Sequence, residues 1–436
     1  MSPSWDTFFR TLSLADHNTR VVVAGTTMLG IAAGVVGTFA YLRRRALMGD
    51  ALSHATLPGV AAVFIIFGSK HLPLLLLGAT LSGVLGVLAV LGLRRVPRIK
   101  EDAAIGIVLS VFFGAGMVLF SIVQQMRTGQ EAGLLTFIYG KAAAMLTRDA
   151  WIIAGTAGAV LVGSIALFKE FRVICFDQDF AQSQGTPVFV LDVAMMALVV
   201  MTTVVGLQAV GLILVVALLI IPPAAARFWT DDLALMTVLA GAFGALSGWS
   251  GATLSALMPR LPTGAVIVLC AGGAFLVSML GAPHRGVIAS VLRQWSLRRK
   301  IAYQHLLRAL AEMEEAALGP APAGVGALER RRGWTRRQLH EVIRRAVRRE
   351  AVAWAGPDAL RLTASGRVEA TRMLRNHRLW EMYLIKYADI APSRVDRDAD
   401  EVEHVLSEPI VRELEQALDA ARAIPPSPHP QEAPAT

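Results

Sequence analysis

The chain has 436 residues, a hydrophobic fraction of 54%, a mean hydropathy of +0.53 and a formal charge of +9. A soluble domain is not this apolar over its first two thirds, so the composition excludes a wholly soluble protein and predicts an all-α polytopic membrane protein. The last third is rich in Arg and Glu and predicts a separate soluble domain. Two cysteines indicate no disulfide framework, and the excess of arginine favours contact with membrane lipid head groups.

Five regions follow from the change of composition along the chain. They are an interfacial segment at 1–19, a transmembrane domain at 20–285, a basic linker at 286–300, a cytoplasmic domain at 301–420 and a disordered tail at 421–436. We predict eight or nine crossings and leave open the short apolar segment 134–145, which carries Lys141. The apolar stretches that are candidates for these crossings are 21–41, 49–67, 72–93, 103–123, 151–168, 188–205, 206–226, 233–254 and 264–280.

Two ionisable residues stand at the start of the second predicted span. Asp50 and His54 are four residues apart, so a helix places both side chains on one face. A carboxylate oxygen and an imidazole nitrogen together suit a divalent transition metal, and ionisable groups within a span indicate a functional site. A structural alternative stays open, in which Asp50 caps a helix and His54 makes an ordinary hydrogen bond. Farther along, we expect Asp192 to be interfacial or helix-capping.

Several motifs in the apolar part are shared with a known family. They are the stretch 43–59 with Asp-x-x-x-His, Glu101-Asp102-Ala103-Ala104-Ile105-Gly106, the stretch 211–222, and Leu261-Pro262-Thr263-Gly264. Residues 20–285 thereby resemble the permease subunits of zinc, manganese and iron ABC importers. The resemblance implies a homodimeric or pseudo-dimeric permease that receives a metal from an extracytoplasmic binding protein, with Asp50 and His54 contacting the ion. It also implies that the loop 176–184 docks on the ATPase, through Phe176, Asp177, Asp179 and Phe180.

The sequence itself indicates that ATP is hydrolysed elsewhere. No Gly-x-x-x-x-Gly-Lys-Ser/Thr phosphate loop occurs, and Gly140-Lys141 lacks both the spacing and the hydroxyl residue. No nucleophile and base stand out either, so the chain is not expected to be an enzyme. An ATP-driven transporter would therefore use a separate ATPase subunit.

The last third predicts a mainly α, winged-helix-like domain. A helix at 303–317 is followed by a Pro/Gly-rich loop, a helix capped by Thr335 and a two-stranded wing with its turn at 356–358. Nine arginines fall between Arg330 and Arg349. The first helix of a DNA-binding helix-turn-helix is expected to be broken by Gly324 and Gly326, so DNA is the less favoured partner.

Residues 301–420 resemble the diphtheria-toxin-repressor family of metal-dependent regulators. The stretches that carry the resemblance are 362–367, 375–381 and 400–407. The resemblance implies regulatory metal ligands at His305, His377, Asp400, Glu403 and His404, and an accessory ligand at Glu381. Spacing alone favours a solvated acidic helix, because charge runs are usually solvent-exposed. A carboxylate at Asp400 favours manganese or ferrous iron, although zinc also accepts these ligands.

Together these features predict the permease subunit of an importer for divalent metal ions in the cell inner membrane. Manganese is preferred as the ion, with iron or zinc next, and the C-terminal domain is expected to sense the metal in the cytoplasm and regulate transport. Two alternatives remain. One is a membrane-tethered, metal-dependent transcription regulator, and the other is a tail that dimerises without metal.

Overall fold

The computed structural model describes residues 16–43, 46–68, 72–94, 96–126, 145–258, 261–388 and 408–418. The chain divides into two compact units, Met1–Ser290 and Val291–Thr436. The described residues are mostly helical in both units, and the only sheet among them is small and belongs to the second.

The first unit is built from twelve described helices. In chain order they are α1 His17–Leu42, α2 Ala46–Ala55, α3 Leu57–Phe67, α4 Leu72–Leu93, α5 Glu101–Gln125, α6 Thr147–Ala166, α7 Phe168–Phe176, α8 Gln178–Ser183, α9 Val188–Val210, α10 Leu212–Arg227, α11 Leu233–Leu257 and α12 Thr263–Gly281. Among the described residues, eight helical segments are long and apolar enough to cross a membrane, and Leu214–Arg227 is a shorter apolar helix. The predicted polytopic all-α fold is thus confirmed. The undecided segment at 134–145 lies, except for Met145, outside the described residues.

Helix α1 is the most buried of these segments and forms the centre of the unit. Its glycines allow the backbone of α11 to approach closely, because a Cβ atom on Gly30 would lie 2.2 Å from the carbonyl oxygen of Gly244. A Cβ on Gly34 would meet the carbonyl oxygen of Ala240 at the same distance. Small residues at such contacts let two apolar helices gain van der Waals packing where water supplies no hydrophobic driving force.

Two of the predicted spans are interrupted or displaced. The second span consists of α2 and α3, which meet at Thr56 just before Pro58. The boundary predicted between residues 205 and 206 is wrong, because α9 continues to Val210 and the chain turns at Gly211 with φ of +90°. Only glycine adopts this backbone conformation readily, which places the break there.

The second unit has a winged-helix arrangement. Its elements are α13 Val287–Ala316, β1 Ala323–Gly324, α14 Val325–Arg332, α15 Arg336–Arg348, β2 Val352–Gly356, β3 Ala359–Leu362, α16 Ala364–Tyr387 and α17 Glu408–Ala417. The antiparallel sheet has the order β1-β3-β2, and β2 and β3 form the predicted wing. Helix α13 begins earlier than predicted and includes most of the stretch expected to be a linker, 286–300.

The expectation that Gly324 and Gly326 break the first helix of the helix-turn-helix is wrong. Gly324 is the N-cap of α14, where an extended backbone is needed, and Gly326 lies inside the helix. Gly333, with φ of +63°, is the C-cap residue of α14. Helix α15 then begins with a capping box formed by Thr335 and Gln338. The glycines therefore delimit α14 and do not prevent it.

Candidate functional site

The pair predicted for the translocation path comes together on α2. His54 Nε2 lies 3.6 Å from Asp50 Oδ1, as expected for positions i and i+4. The Asp50 side chain is 38% exposed and that of His54 is 19% exposed. The Nδ1 atom of His54 is buried and has no hydrogen-bond partner among the described residues. The rings of Phe113 and His54 meet edge to face, with their centroids 4.9 Å apart, and this contact orients the imidazole.

The helix carrying this pair ends because of Pro58. Proline lacks an N–H group and its ring collides with the carbonyl four residues earlier, whereas the first turn of a new helix tolerates it. Hydroxyl groups then satisfy carbonyls at the break: Ser82 donates to Ala55 O at 2.6 Å, and Thr56 donates to Ser53 O at 2.7 Å. Such a satisfied break is typical of membrane helices that line a cavity or a ligand path.

A buried arginine joins three elements at the end of α1. The Arg43 guanidinium donates to both carboxylate oxygens of Asp192, at 3.0 and 3.1 Å, and the two side chains are 9% and 8% exposed. It also donates to Ile174 O at 2.8 Å and Gln178 Oε1 at 3.1 Å. Arg43 thereby ties α1 to α7, α8 and α9, and it stands three residues before α2 in the sequence.

This cluster excludes helix capping, one of the two roles expected for Asp192, and adds Arg43, which the sequence reasoning missed. Asp192 is not a helix cap, since α9 is capped by Pro187 and Asp192 is buried in an ion pair. In the sequence, Arg43 stands out only as the first residue of the stretch 43–59. The signal that could have revealed the pair is that Asp192 is a carboxylate within an otherwise apolar stretch, which requires a cation nearby.

The loop predicted to dock on the ATPase forms the two short helices α7 and α8. Phe176 and Phe180 are 64% and 51% exposed. Asp177 lies between the helices and caps α8 by accepting a hydrogen bond from the Phe180 N–H at 2.8 Å. Asp179 lies in the first turn of α8, where a negative charge is favourable.

In the second unit the structure brings together two of the predicted metal-sensing residues. His377 and Glu381 on α16 are 3% and 2% exposed, and His377 Nε2 lies 3.2 Å from Glu381 Oε1. From α13, the side chain of Arg308 reaches His377, and its Nη1 lies 2.6 Å from His377 Nδ1. His305 stands one turn before Arg308 on α13 and is partly buried. The i+3 spacing from His305 could have pointed to Arg308.

The other predicted ligands of this site are not described. Asp400, Glu403 and His404 lie outside the described residues. Within the described residues, no group of three or more His, Cys, Asp or Glu side chains is arranged to hold a metal ion. The assignment of all six sensing residues therefore stays a prediction.

The comparison with protein families decides the identity of the first unit. A model described as the ABC 3 transport family matches residues 15–282, which include the Asp50–His54 pair and the Arg43 cluster. The chain belongs to the ABC 3 transport family. This ABC 3 family chain also matches, over residues 363–434, a model described as "Iron dependent repressor, metal binding and dimerisation domain". Both resemblances stated from the sequence are thus confirmed.

Similar proteins support the same assignment of the ABC 3 family chain. The "Manganese transport system membrane protein MntC" of Bacillus subtilis is 38% identical over 387 residues, which cover 89% of this chain and 88% of that protein. The "Zinc transport system membrane protein TroC" of Treponema pallidum is 45% identical, covering 64% of this chain and 94% of that protein. A solved structure titled "PsaBC from Streptococcus pneumoniae in complex with Fab" is 33% identical with a TM-score of 0.56, covering 64% of this chain and 96% of that chain.

Proposed function

We propose that this chain is the permease subunit of an ABC importer for divalent transition metal ions, with manganese preferred and iron or zinc next. The observation that carries the proposal is the Asp50–His54 pair, in which the partly exposed carboxylate lies 3.6 Å from His54 Nε2, close enough for both to contact one ion. One hard oxygen and one borderline nitrogen suit manganese, iron and zinc.

The exposure of Asp50 also supports a second permease subunit. A carboxylate at the surface of a membrane-spanning helix is expensive in contact with lipid, so it faces either water or another protein. Two ligands hold a divalent ion only loosely, and a second copy would supply two more. We infer that the ion passes between two such subunits, and the neighbour titled PsaBC is in keeping with paired chains.

The Arg43 cluster supports coupling to a separate ATPase subunit. Exposed Phe176 and Phe180 would dock on the ATPase, and Arg43 holds the same two helices to α1 and α9 through Ile174 O, Gln178 and Asp192. A displacement of α7 and α8 would therefore be carried to the start of α2. An extracytoplasmic metal-binding protein would deliver the ion on the opposite side of the cell membrane.

We further propose that the C-terminal unit is cytoplasmic and senses the imported metal. The match to a repressor metal-binding domain and the buried His377–Glu381 pair support a metal site completed by Asp400, Glu403 and His404. Metal bound there would favour one state of the permease, which requires different metal affinity in the two states. The expected sign is feedback inhibition when the metal is abundant.

The test is the manganese, iron and zinc content of cells that make the chain together with its ATPase and binding protein. Asp50→Asn and His54→Ala should abolish accumulation, because the first removes the negative charge of the oxygen ligand and the second removes the imidazole nitrogen. Asp231→Asn is the matched control, since Asp231 is 66% exposed and pairs only at the surface with Arg227 and Arg285. Equal accumulation with Asp50→Asn and Asp231→Asn would refute the translocation site.

The sensing role has its own arm of the same experiment. His404→Ala should raise manganese accumulation further, because it removes a ligand of the inhibitory site. Accumulation equal to that of the unmodified chain would refute the sensing role of His404 and leave the importer intact.

One observation favours the alternative of a membrane-tethered transcription regulator. Helices α14 and α15, the turn at Gly333 and the wing form a complete helix-turn-helix arrangement with a basic second helix. Sequence-specific retention of DNA by the full chain in detergent, lost on changing Arg337 and Arg344 to Ala, would support it. Metal uptake that depends on Asp50 would count against a purely regulatory chain.

A further inference from the structure

A buried arginine occupies the place where a metal would approach the predicted sensing histidine. Arg308 projects from α13 towards α16 and is 1% exposed, the largest side chain among the fully buried residues that the structure describes. Its Nη1 lies 2.6 Å from His377 Nδ1, and its Nε lies 3.3 Å from Glu312 Oε1. The guanidinium thus brings a fixed positive charge to the centre of this site.

The hydrogen-bond pattern defines which ring nitrogen of His377 carries a proton. Arginine has only donor groups, so His377 Nδ1 must accept the hydrogen bond with its lone pair. The proton of the neutral ring is then on Nε2, which faces Glu381 Oε1 at 3.2 Å. A carboxylate that receives one imidazole N–H is the usual support for a histidine whose other nitrogen binds a metal.

The lone pair of His377 Nδ1 can serve only one cation at a time. Arg308 and a metal ion would both need it, and both would be attracted by the carboxylate of Glu381. We propose that Arg308 is a built-in competitor of the regulatory metal, so that metal binds at His377 only after the guanidinium has left. The proposal rests on the sensing role proposed above for His377 and Glu381.

This competition would set the concentration at which the sensor responds. When only a fraction of molecules is competent to bind, the apparent dissociation constant rises by the inverse of that fraction. A charge-assisted hydrogen bond shifts the equilibrium between the closed site, with Arg308 on His377, and the open site by about 10- to 100-fold. The sensor would then remain free of metal at low concentrations and respond only when the ion is plentiful, which suits feedback on an importer.

The displaced arginine also gives the sensor a way to signal. Arg308 lies on α13, which follows the last candidate span directly in the sequence. Leaving His377 would strengthen its contact with Glu312, which is one turn farther along α13. Metal binding would thus break a contact between α13 and α16 and keep the one within α13.

The experiment measures Mn²⁺ binding to the purified full chain in detergent, using the electron paramagnetic resonance of free Mn²⁺. All variants carry Asp50→Ala and His54→Ala, so that the translocation site does not contribute. Arg308→Leu and Arg308→Gln should each tighten the His377-dependent site by about 10- to 100-fold, because both remove the competing charge. Two variants are used so that a folding defect in one does not decide the outcome.

Arg378→Leu is the matched control. Arg378 is a buried arginine like Arg308, but it lies on α16 and pairs with Glu315. Its removal should therefore leave the Mn²⁺ affinity unchanged. Addition of His377→Ala should abolish the gained affinity. Binding that appears only in the Arg308 variants would support the proposal most strongly, since the unmodified site would then be closed by the guanidinium.

Two results would overturn the proposal, and they differ in what they leave standing. A His377-dependent site with equal or weaker affinity in both Arg308 variants, with cooperative melting retained, would mean that Arg308 is structural while the sensor stands. No His377-dependent binding in any variant would refute the sensing function and the competition together.

Discussion

The buried Arg43–Asp192 pair predicts a large loss of stability when Asp192 is changed to Asn. The substitution keeps the shape and one acceptor oxygen but removes the negative charge, leaving the Arg43 guanidinium with Ile174 O and Gln178 Oε1. Removing one partner of a buried ion pair costs about 3–5 kcal/mol. Because one acceptor oxygen remains, we expect a loss of about 3 kcal/mol, roughly a hundredfold in the unfolding equilibrium constant.

The assay is unfolding of the detergent-purified chain by increasing sodium dodecyl sulfate, followed by far-ultraviolet circular dichroism. Asp231→Asn is the control, since its pairs with Arg227 and Arg285 are exposed and should contribute less than about 1 kcal/mol. Equal effects of the two substitutions would refute the argument that Asp192 neutralises a buried charge. In the assembled transporter, Asp192→Asn should also lower the metal imported per ATP hydrolysed, since α7 and α8 lose an anchor to α9.

Three further predictions concern packing, the helix break and alkaline pH. Gly244→Ala should lower the free energy of unfolding by at least about 2 kcal/mol, because its Cβ would lie 2.0 Å from Gly30 O. Gly272→Ala is the control: a Cβ there would have nothing within 4 Å, so the same unfolding assay should show no loss. Ser82→Ala should lower the free energy of unfolding by about 1 kcal/mol, because the Ala55 carbonyl at the break between α2 and α3 loses its hydrogen-bond donor. An unchanged unfolding midpoint would contradict this role. Burial and the hydrogen bond to Glu369 raise the pKa of Tyr303 from 10.0 to about 12. The stability that protonated Tyr303 contributes is therefore present below pH 10 and lost as pH rises through 12. In a titration followed by tyrosinate absorbance, Tyr303 should ionise near pH 12, and this last step should be missing in Tyr303→Phe.

The sequence predicted most of the spans because apolar length is a direct physical requirement of the bilayer. The spacing of Asp50 and His54 likewise predicted that their side chains meet, since helical periodicity alone brings them together. The turn at Gly211 was misplaced by several residues, because an uninterrupted apolar run carries no signal for its own boundary. Only the positive φ of the glycine reveals where α9 ends and α10 begins.

Contacts between elements distant in sequence were not predictable in the same way. Asp192 and Arg43 are 149 residues apart, and nothing in the periodicity of either helix indicates that they pair. Arg308 and His377 come from α13 and α16, and although the i+3 spacing puts Arg308 on the face of His305, it does not indicate that the guanidinium lies against His377. Three-dimensional packing decides which of many arginines is buried, and here it changes the interpretation of the sensing site.

The most direct test of the account is energised uptake of radioactive Mn²⁺ into proteoliposomes that contain the chain with its ATPase and binding protein. The account predicts ATP-dependent uptake by the unmodified chain and by Asp231→Asn, and none by Asp50→Asn or His54→Ala. Unlabelled Zn²⁺ in competition would report the preference between the two ions. ATP-dependent Mn²⁺ uptake that persists at the normal rate in Asp50→Asn and in His54→Ala would contradict the central claim that this pair lies on the metal path.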